Sequence, residues 1–219
     1  METLILIFCA AFLVGLSLSM ETVGVLGRHV GVVLKSPAYG YSIHNRIATI
    51  GRVFVFLGFP IIGYIIDTTN DPSHIFLTGI LICCVHTFIG LIFFFCHNLI
   101  YSRIHTYTGA NTVVISIRNL DFTIVLFSAA AIFLQLVGIV VVNSLAAMHA
   151  DLRATLLQTA PALTALGTVL HTFIADPRLS KLSDSSATDS VIGTSSYIVG
   201  RVVGLLSLLF TLLIVTNLW

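Results

Sequence analysis

Long apolar runs broken by short polar stretches organise this chain from end to end. About 20 apolar residues cross a bilayer core as helix. At that spacing the pattern predicts six spans, at about Thr3–Gly27 (with an extension toward Leu34), Tyr41–Ile66, His74–Cys96, Asp121–Met148, Leu152–Ala175 and Val191–Trp219. The fourth is long enough to tilt. The fifth contains Pro161, and Trp219 falls where an interfacial aromatic is expected. "KSPAYG" (Lys35–Gly40) has the Pro and Gly of a turn, and "DTTNDPS" (Asp67–Ser73) is a short polar connection. His97–Leu120 is a longer polar stretch without a hydrophobic run. "DPRLSKLSDSSATDS" (Asp176–Ser190) reads as the last loop.

Composition turns this pattern into a class. Of 219 residues, 57% are hydrophobic and 9% charged, with mean hydropathy +1.06. Soluble domains carry about 25% charged residues, so there is too little polar surface here to cover a soluble globule. The expectation is one polytopic membrane domain over residues 1–219. It is an all-α bundle of about six transmembrane helices with a polar, cationic interior cavity. The formal net charge is +1 and no basic tract exists, so nucleic acid is not an expected partner.

Cys9, Cys83, Cys84 and Cys96 all lie in apolar runs without CxxC spacing, and read as small buried apolar residues. The eight histidines form no HExxH or paired-ligand spacing. His86 and His171 lie within spans but are poor candidates for a bis-histidine haem. No metal or cofactor is expected. The first run lacks a basic n-region and a clear small-residue cleavage site, so it reads as a retained span.

Lys35, Arg103, Arg118, Arg178 and Lys181 lie in the first, third and fifth connections, whereas the second and fourth hold only Arg153. Basic loops stay cytoplasmic. Both termini are therefore expected outside, with the three basic connections inside. "IGRVFVFLG" (Ile50–Gly58) faintly echoes "VGRVVGLLS" (Val199–Ser207), but a 3+3 inverted repeat would pair spans two and five instead.

Charge inside the spans is the main functional signal. An arginine at a helix centre costs about 2.5–3.5 kcal/mol on insertion scales and normally faces a bundle interior or wet cavity. The candidates are Glu21 and Arg28 on span one, Arg46 and Arg52 on span two, Asp151 and Arg153 at the fourth turn, and Arg201 on span six. Five arginines face two acids. A guanidinium fork holds phosphate oxygens bidentately, so excess buried arginine implies an anionic ligand with a phosphate or pyrophosphate head. Glu21 and Asp151 are the expected counter-charges.

Each residue also has a plainer reading. Arg46 and Arg153 lie close enough to span ends to snorkel. Arg28 is seven residues past Glu21, a spacing at which the two can pair. Arg52 and Arg201 lie deeper, where ligand contact competes with structural pairing. Asn45 suits a headgroup sugar or a neighbouring helix. Pro60 suits a hinge or a fixed kink. Gln158 shares a helix face with Thr155. Asp176 with Pro177 suits a simple turn.

The stretch "ETVGVLGRHVGVVLKSPAYGYSIHNRIATIGRVFVFLGFPII" resembles the N-terminal region of the Amj family, the alternate lipid II flippases. The resemblance rests on Thr22, Arg28, Gly31, Asn45, Arg52 and Pro60 at gapless spacing. "DLRATLLQTAPALTALGTVLHTFIADPRLSKLSD" resembles a second family segment through Arg153, Ala154, Thr155, Gln158, Asp176, Pro177, Ser180 and Asp184. "GRVVGLL" resembles a closing Ser-Arg-x-x-Gly. Gly51 and Gly200 stand where the family pattern has Ser, and the chain is short for the family. About half of the chain is covered.

The resemblance implies a bacterial cytoplasmic-membrane protein. It would move lipid II, an undecaprenyl-pyrophosphate-linked saccharide lipid, or a related glycolipid, to the outer leaflet for cell-wall synthesis. Arg28, Asn45, Arg52, Arg153, Gln158 and Arg201 are then the expected substrate contacts, and the partners are that lipid and the surrounding membrane lipids. Two other classes stay open: a small-solute channel or exporter, and an intramembrane prenyl-phosphate enzyme. The enzyme is disfavoured because Glu occurs only at positions 2 and 21 and no phosphatase-like Ser-Gly-His set exists. Small-residue spacings leave a homodimer undecided.

Overall fold

The computed structural model describes residues 2–69, 71–108 and 119–218, all of the regular structure among them helical. The chain runs through α1 (Glu2–Gly24), α2 (Leu26–Val33), α3 (Pro37–Thr69), α4 (Pro72–Thr108), α5 (Phe122–Val137) and α6 (Asn143–Met148). It ends with α7 (Arg153–Leu170), α8 (Asp176–Ser185) and α9 (Ala187–Leu218). Single π-helical turns, Gly138–Val142 and His171–Ala175, join α5 to α6 and α7 to α8. Five segments are long and apolar enough to cross a membrane: Glu2–Val33, Pro37–Thr69, Pro72–Phe93, Phe122–Met148 and Ala187–Ile214. These define a multi-pass helical membrane protein.

The expected fifth span, Leu152–Ala175, is helical and runs antiparallel along α5. Gly138 lies against Ala160 and Thr164, and Gly167 lies against Ala131 and Gln135. It falls short of the other five in apolarity because Arg153, Gln158 and five threonines interrupt it. Of its α7 residues only Gly167 is buried.

The other boundaries shift by helix chemistry. Asp176–Ser190 is helix rather than loop except at Ser186, with α8 over Asp176–Ser185 and α9 beginning at Ala187; Pro177 sits at the start of α8, where its missing N–H is not needed. Leu179 and Ser183 of α8 are buried against the bundle. The third span extends as helix through the polar residues to Thr108. Arg118 and Trp219 lie outside the described residues. Of the cysteines, only Cys83 is fully buried as expected. Cys9 and Cys84 face outward, and all four are free thiols.

The turn after α2 is a Schellman motif. Ser36 N–H donates to the Gly31 carbonyl at 2.8 Å and Lys35 N–H to the Val32 carbonyl at 3.0 Å. Lys35 takes φ 53° there, a left-handed conformation. Two small residues then bring α2 and α3 into backbone contact: a Cβ on Gly31 would lie 2.6 Å from Gly40 Cα. Small residues of this kind let membrane helices approach closely.

Two apolar clusters fill the interior. The larger includes Val14, Leu18, Ile65, Ile82, Ile132 and Leu205. The smaller includes Val25, Tyr101, Ile124, Leu179 and Ile198. Along α1 and α9, Leu18 and Leu205 belong to the first cluster, Val25 and Ile198 to the second. Glu21 and Arg201 fall between them. Outward faces carry Phe8, Phe12, Phe56, Phe88, Phe173 and Phe210, the pattern of helices whose surroundings are lipid.

Candidate functional site

Two helices, α1 and α9, meet at a part-buried ion pair. Arg201 on α9 is 1% exposed, and its Nη2 donates to Glu21 Oε2 at 3.1 Å. Its Nη1 donates to Tyr197 Oη at 2.9 Å, one helical turn earlier. Gly200 and Gly204 let α9 lie directly on α5, against the backbone of Val125 and Ala129. That packing drives the intervening Arg201 inward. The Glu21 side chain is 38% exposed, so solvent screens the pair, and its contribution to fixing α1 to α9 lies below the roughly 3–5 kcal/mol lost on breaking a fully buried pair.

A second pair lies toward the α2–α3 turn. Arg28 is 6% exposed; its Nη2 donates to Asp176 Oδ1 at 2.8 Å, and Nη1 lies 3.5 Å from Ser180 Oγ. Its guanidinium stacks 5.1 Å from the Tyr41 ring centroid. The other Asp176 oxygen faces His171 Nδ1 at 3.7 Å. The His171 ring in turn meets the Tyr197 ring at 5.2 Å, edge to face. One polar chain therefore runs Arg28–Asp176–His171–Tyr197–Arg201–Glu21. Nε of both Arg28 and Arg201, His44 Nδ1 and His171 Nε2 are buried along it without a hydrogen-bond partner. Buried polar groups normally have partners, so this chain has donor capacity to spare for an anion.

The expected pairing of Glu21 with Arg28 is not the one formed: Glu21 pairs with Arg201, and Asp176 takes Arg28. The sequence count of five arginines against two acids omitted the carboxylates of the connections, Asp176 and Asp67. Each reaches back to a span arginine, because a desolvated guanidinium needs a counter-charge.

Arg153 pairs with Asp67 at 3.1 Å and also donates from Nε to the Ala146 carbonyl at 3.2 Å. This cluster lies at the far end of α3 from Arg28, so Arg153 is not brought together with the other arginines. Asp151, expected as its counter-charge, is exposed in the turn instead. Gln158 and Thr155 face outward on α7.

Arg52 and Asn45 also face outward, on α3. Arg52 makes no ion pair within 4 Å among the described residues, but its charge is close enough to act on Glu21. With Arg46 and Thr49 these residues form a polar stripe on the membrane-facing side of a helix. A shallow open groove of about 600 Å³ follows it, lined by Tyr41, Ser42, Asn45, Arg46 and Thr49 among others. From Pro37 to Arg52 the stripe climbs about 22 Å, at about 1.5 Å per residue.

Sequence reasoning missed the histidine contacts. His29 Nε2 lies 3.3 Å from His105 Nε2, and His29 Nδ1 lies 3.3 Å from Ser190 Oγ. His86 lies between Ser19 and Thr22. No linear spacing signals either contact, since the partners are 64 or more residues apart. Among the described residues, no group of three or more His, Cys, Asp or Glu is arranged to hold a metal.

The fold and this site define a polytopic helical membrane protein with a buried ion-pair chain and an adjoining cationic stripe on its outer face. No protein-family model matches the chain, and no curated protein or solved structure matches it either.

Proposed function

We propose that the protein is a transporter, not an enzyme. In this reading it moves lipid II, or a related polyprenyl-pyrophosphate glycolipid, across the bacterial cytoplasmic membrane, with both termini outside. The observation that carries the reading is the cationic stripe on α3. Arg52 stands exposed well inside the apolar span of α3, where a purely structural arginine would be driven inside or to an end, and Arg46 lies beside it toward the span end. A headgroup entering sideways from the bilayer meets this stripe first. Its prenyl tail stays in lipid throughout.

The chemistry fits a pyrophosphate. Unaided transfer of its charge through hydrocarbon is blocked by uncompensated desolvation. Arg46 and Arg52 offer bidentate forks in place of hydration, and Asn45, Ser42 and Thr49 offer hydrogen bonds to sugar hydroxyls. Arg52 lies in the field of Glu21. An anion held at Arg52 brings a second negative charge toward Arg201, where it competes with Glu21 for that guanidinium. Arg201 and Arg28 then become the inner binding groups, with their spare Nε donors. The resemblance of the sequence to the Amj family points to the same substrate class.

The test is lipid II flipping in cells depleted of their main flippase, with membrane insertion measured in parallel. Arg52→Ala should insert normally and lose flipping by tenfold or more. Arg52→Lys keeps charge without the fork and should lie between. Wild-type flipping by Arg52→Ala would overturn the reading.

A further inference from the structure

α3 and α7 are linked at both ends and separate between them. At one end Asp67 pairs with Arg153 at 3.1 Å. At the other the Tyr41 ring lies 5.1 Å from the Arg28 guanidinium, which holds Asp176 just past the π turn that follows α7. About 39 Å of α3 and about 34 Å of α7 with its π turn lie between these links, at about 1.5 Å per residue, so the two run side by side in opposite directions. They do not pack on each other along that length. α3 packs on α1, α2, α4 and α6, and α7 on α5, α6 and the π turns.

Spacings of four, seven, seven and four residues put Tyr41, Asn45, Arg52, Phe59 and Gly63 on one face of α3, leading from the Tyr41 link toward Asp67. A Cβ on Gly63 would meet no atom within 4 Å. Deeper in, Glu21 lies within the first crossing segment, yet its side chain is 38% exposed while that of Arg201 behind it is 2% exposed. Arg52 of α3 and His171 of the π turn both lie close enough for their charge to act on Glu21. The exposed carboxylate therefore lies between the two helices.

We infer that α3 and α7 flank a slot open to the bilayer, and that the slot takes the pyrophosphate head of a tailed lipid, leading it past Arg52 to the Glu21–Arg201 pair. The charge fits an anion, because Arg52 and Arg201 outnumber Glu21 there. Arg52 makes no ion pair within 4 Å among the described residues, and Nε of Arg201 is buried without a hydrogen-bond partner. Two guanidinium forks suit two phosphoryl groups, one more than a phosphodiester lipid carries. A slot open along its side leaves the tail in hydrocarbon while the head is inside. That this lipid is carried to the other leaflet rests on the function proposed above; the slot and its pyrophosphate binding stand apart from it.

Chemical access to Glu21 tests the slot without any substrate. Dicyclohexylcarbodiimide partitions into the bilayer and adds to protonated carboxyl groups. Full-length Arg201→Met, in which Glu21 has lost its buried cation, is treated with it in lipid nanodiscs at about pH 5, near the carboxyl range. The adduct at Glu21 is measured by peptide mass spectrometry. Arg52→Ala added to this variant should keep the adduct. Arg52→Trp, which fills the mouth of the slot, should lower it about fivefold or more, since close-packed side chains leave no passage. No adduct in the folded protein, or equal adduct in these two variants, overturns the slot.

The occupant is tested on the wild-type protein. Geranylgeranyl pyrophosphate should raise its unfolding temperature in detergent, as a ligand of the folded state does. Geranylgeraniol and phosphatidylglycerol should not, and Arg52→Trp should lose the shift. No shift with the pyrophosphate, or an equal shift with phosphatidylglycerol, overturns the assignment. Wild-type protein that binds this probe and flips no lipid II sinks the transport reading and leaves the slot standing.

Discussion

Arg28 Nη2 lies 2.8 Å from Asp176 Oδ1, a contact across 148 residues that ties the start of the bundle to α8. Arg28 is buried and Asp176 about one-quarter exposed. Asp176→Ala leaves a guanidinium in the interior with only Ser180 and the Tyr41 ring beside it. The expected cost is about 3 kcal/mol, at the lower end of the range for breaking a buried pair because one partner reaches solvent. Thermal unfolding in detergent should show it. Adding Arg28→Met should recover much of the loss; if the double variant is less stable than Asp176→Ala, the pair is not the cause.

Lys35 holds the left-handed position of the Schellman turn between α2 and α3, with φ 53°. A side chain there costs roughly 1–2 kcal/mol relative to glycine. Lys35→Gly should therefore stabilise the protein by about 1 kcal/mol, read as a raised unfolding temperature. Lys35→Ala keeps the strain and should not.

Gly31 and Gly40 meet where α2 crosses α3. A Cβ on either would lie 2.6 Å from backbone of the other, and backbone cannot swing aside as a side-chain tip can. Gly31→Ala should destabilise by about 1–3 kcal/mol, the usual cost of overpacking. It should also displace Arg28, three residues earlier on the same short helix. Unchanged thermal stability in Gly31→Ala would show that the helices have room to part.

The helical class and the positions of five of the six expected spans were readable because apolar run length carries them; the expected span at Leu152–Ala175 is helical but less apolar than a crossing segment. The partners of the charges were not. "IGR" at Ile50–Arg52 and "VGR" at Val199–Arg201 look alike in the sequence, and in both the glycine packs on a neighbouring helix's backbone, Gly51 on Ser17 and Gly200 on Val125. Yet Arg201 is buried and Arg52 exposed. The difference lies in what surrounds each helix: α9 packs against α1, α2, α4, α5 and α8, whereas α3 packs mainly on α1 and α2. Asp176 was hidden for a different reason. It lies in a polar segment that lacks span-length apolarity, so hydropathy reads α8 as loop although its buried Leu179 and Ser183 mark a packed face.

Topology follows from the shared ends. Asp67 and Arg153 meet at one end of the bundle, and α8 lies at the other beside Arg28 and Asp121, the latter held by Arg178 at 2.7 Å. In a cysteine-free background, an impermeant thiol reagent added outside should label Thr68→Cys and not Asp184→Cys. Both positions are exposed, whereas Ser183 is too buried to report. The reverse labelling would invert the proposed orientation.

Glu21 and Arg201 give the sharpest separation of stability from function. The Arg201 side chain is 2% exposed and the Glu21 carboxylate sits 3.1 Å away. Glu21→Gln keeps shape and a hydrogen-bond acceptor but removes the counter-charge. Arg201 is then a buried cation with only neutral partners, Tyr197 and the new amide, and because the Glu21 side chain is 38% exposed the expected loss is about 1–3 kcal/mol, below that for a fully buried pair. Arg201→Met with Glu21→Gln replaces the pair by neutral groups of similar length and should return stability to near wild type, since buried pairs exchange for apolar packing at little net cost. If the pair were only structural, this stable double variant would flip lipid as the parent does. In the proposed function Arg201 is the inner anion site, so the double variant should fold, insert and lose flipping tenfold or more. A folded double variant with parental flipping would remove Arg201 from the transport path.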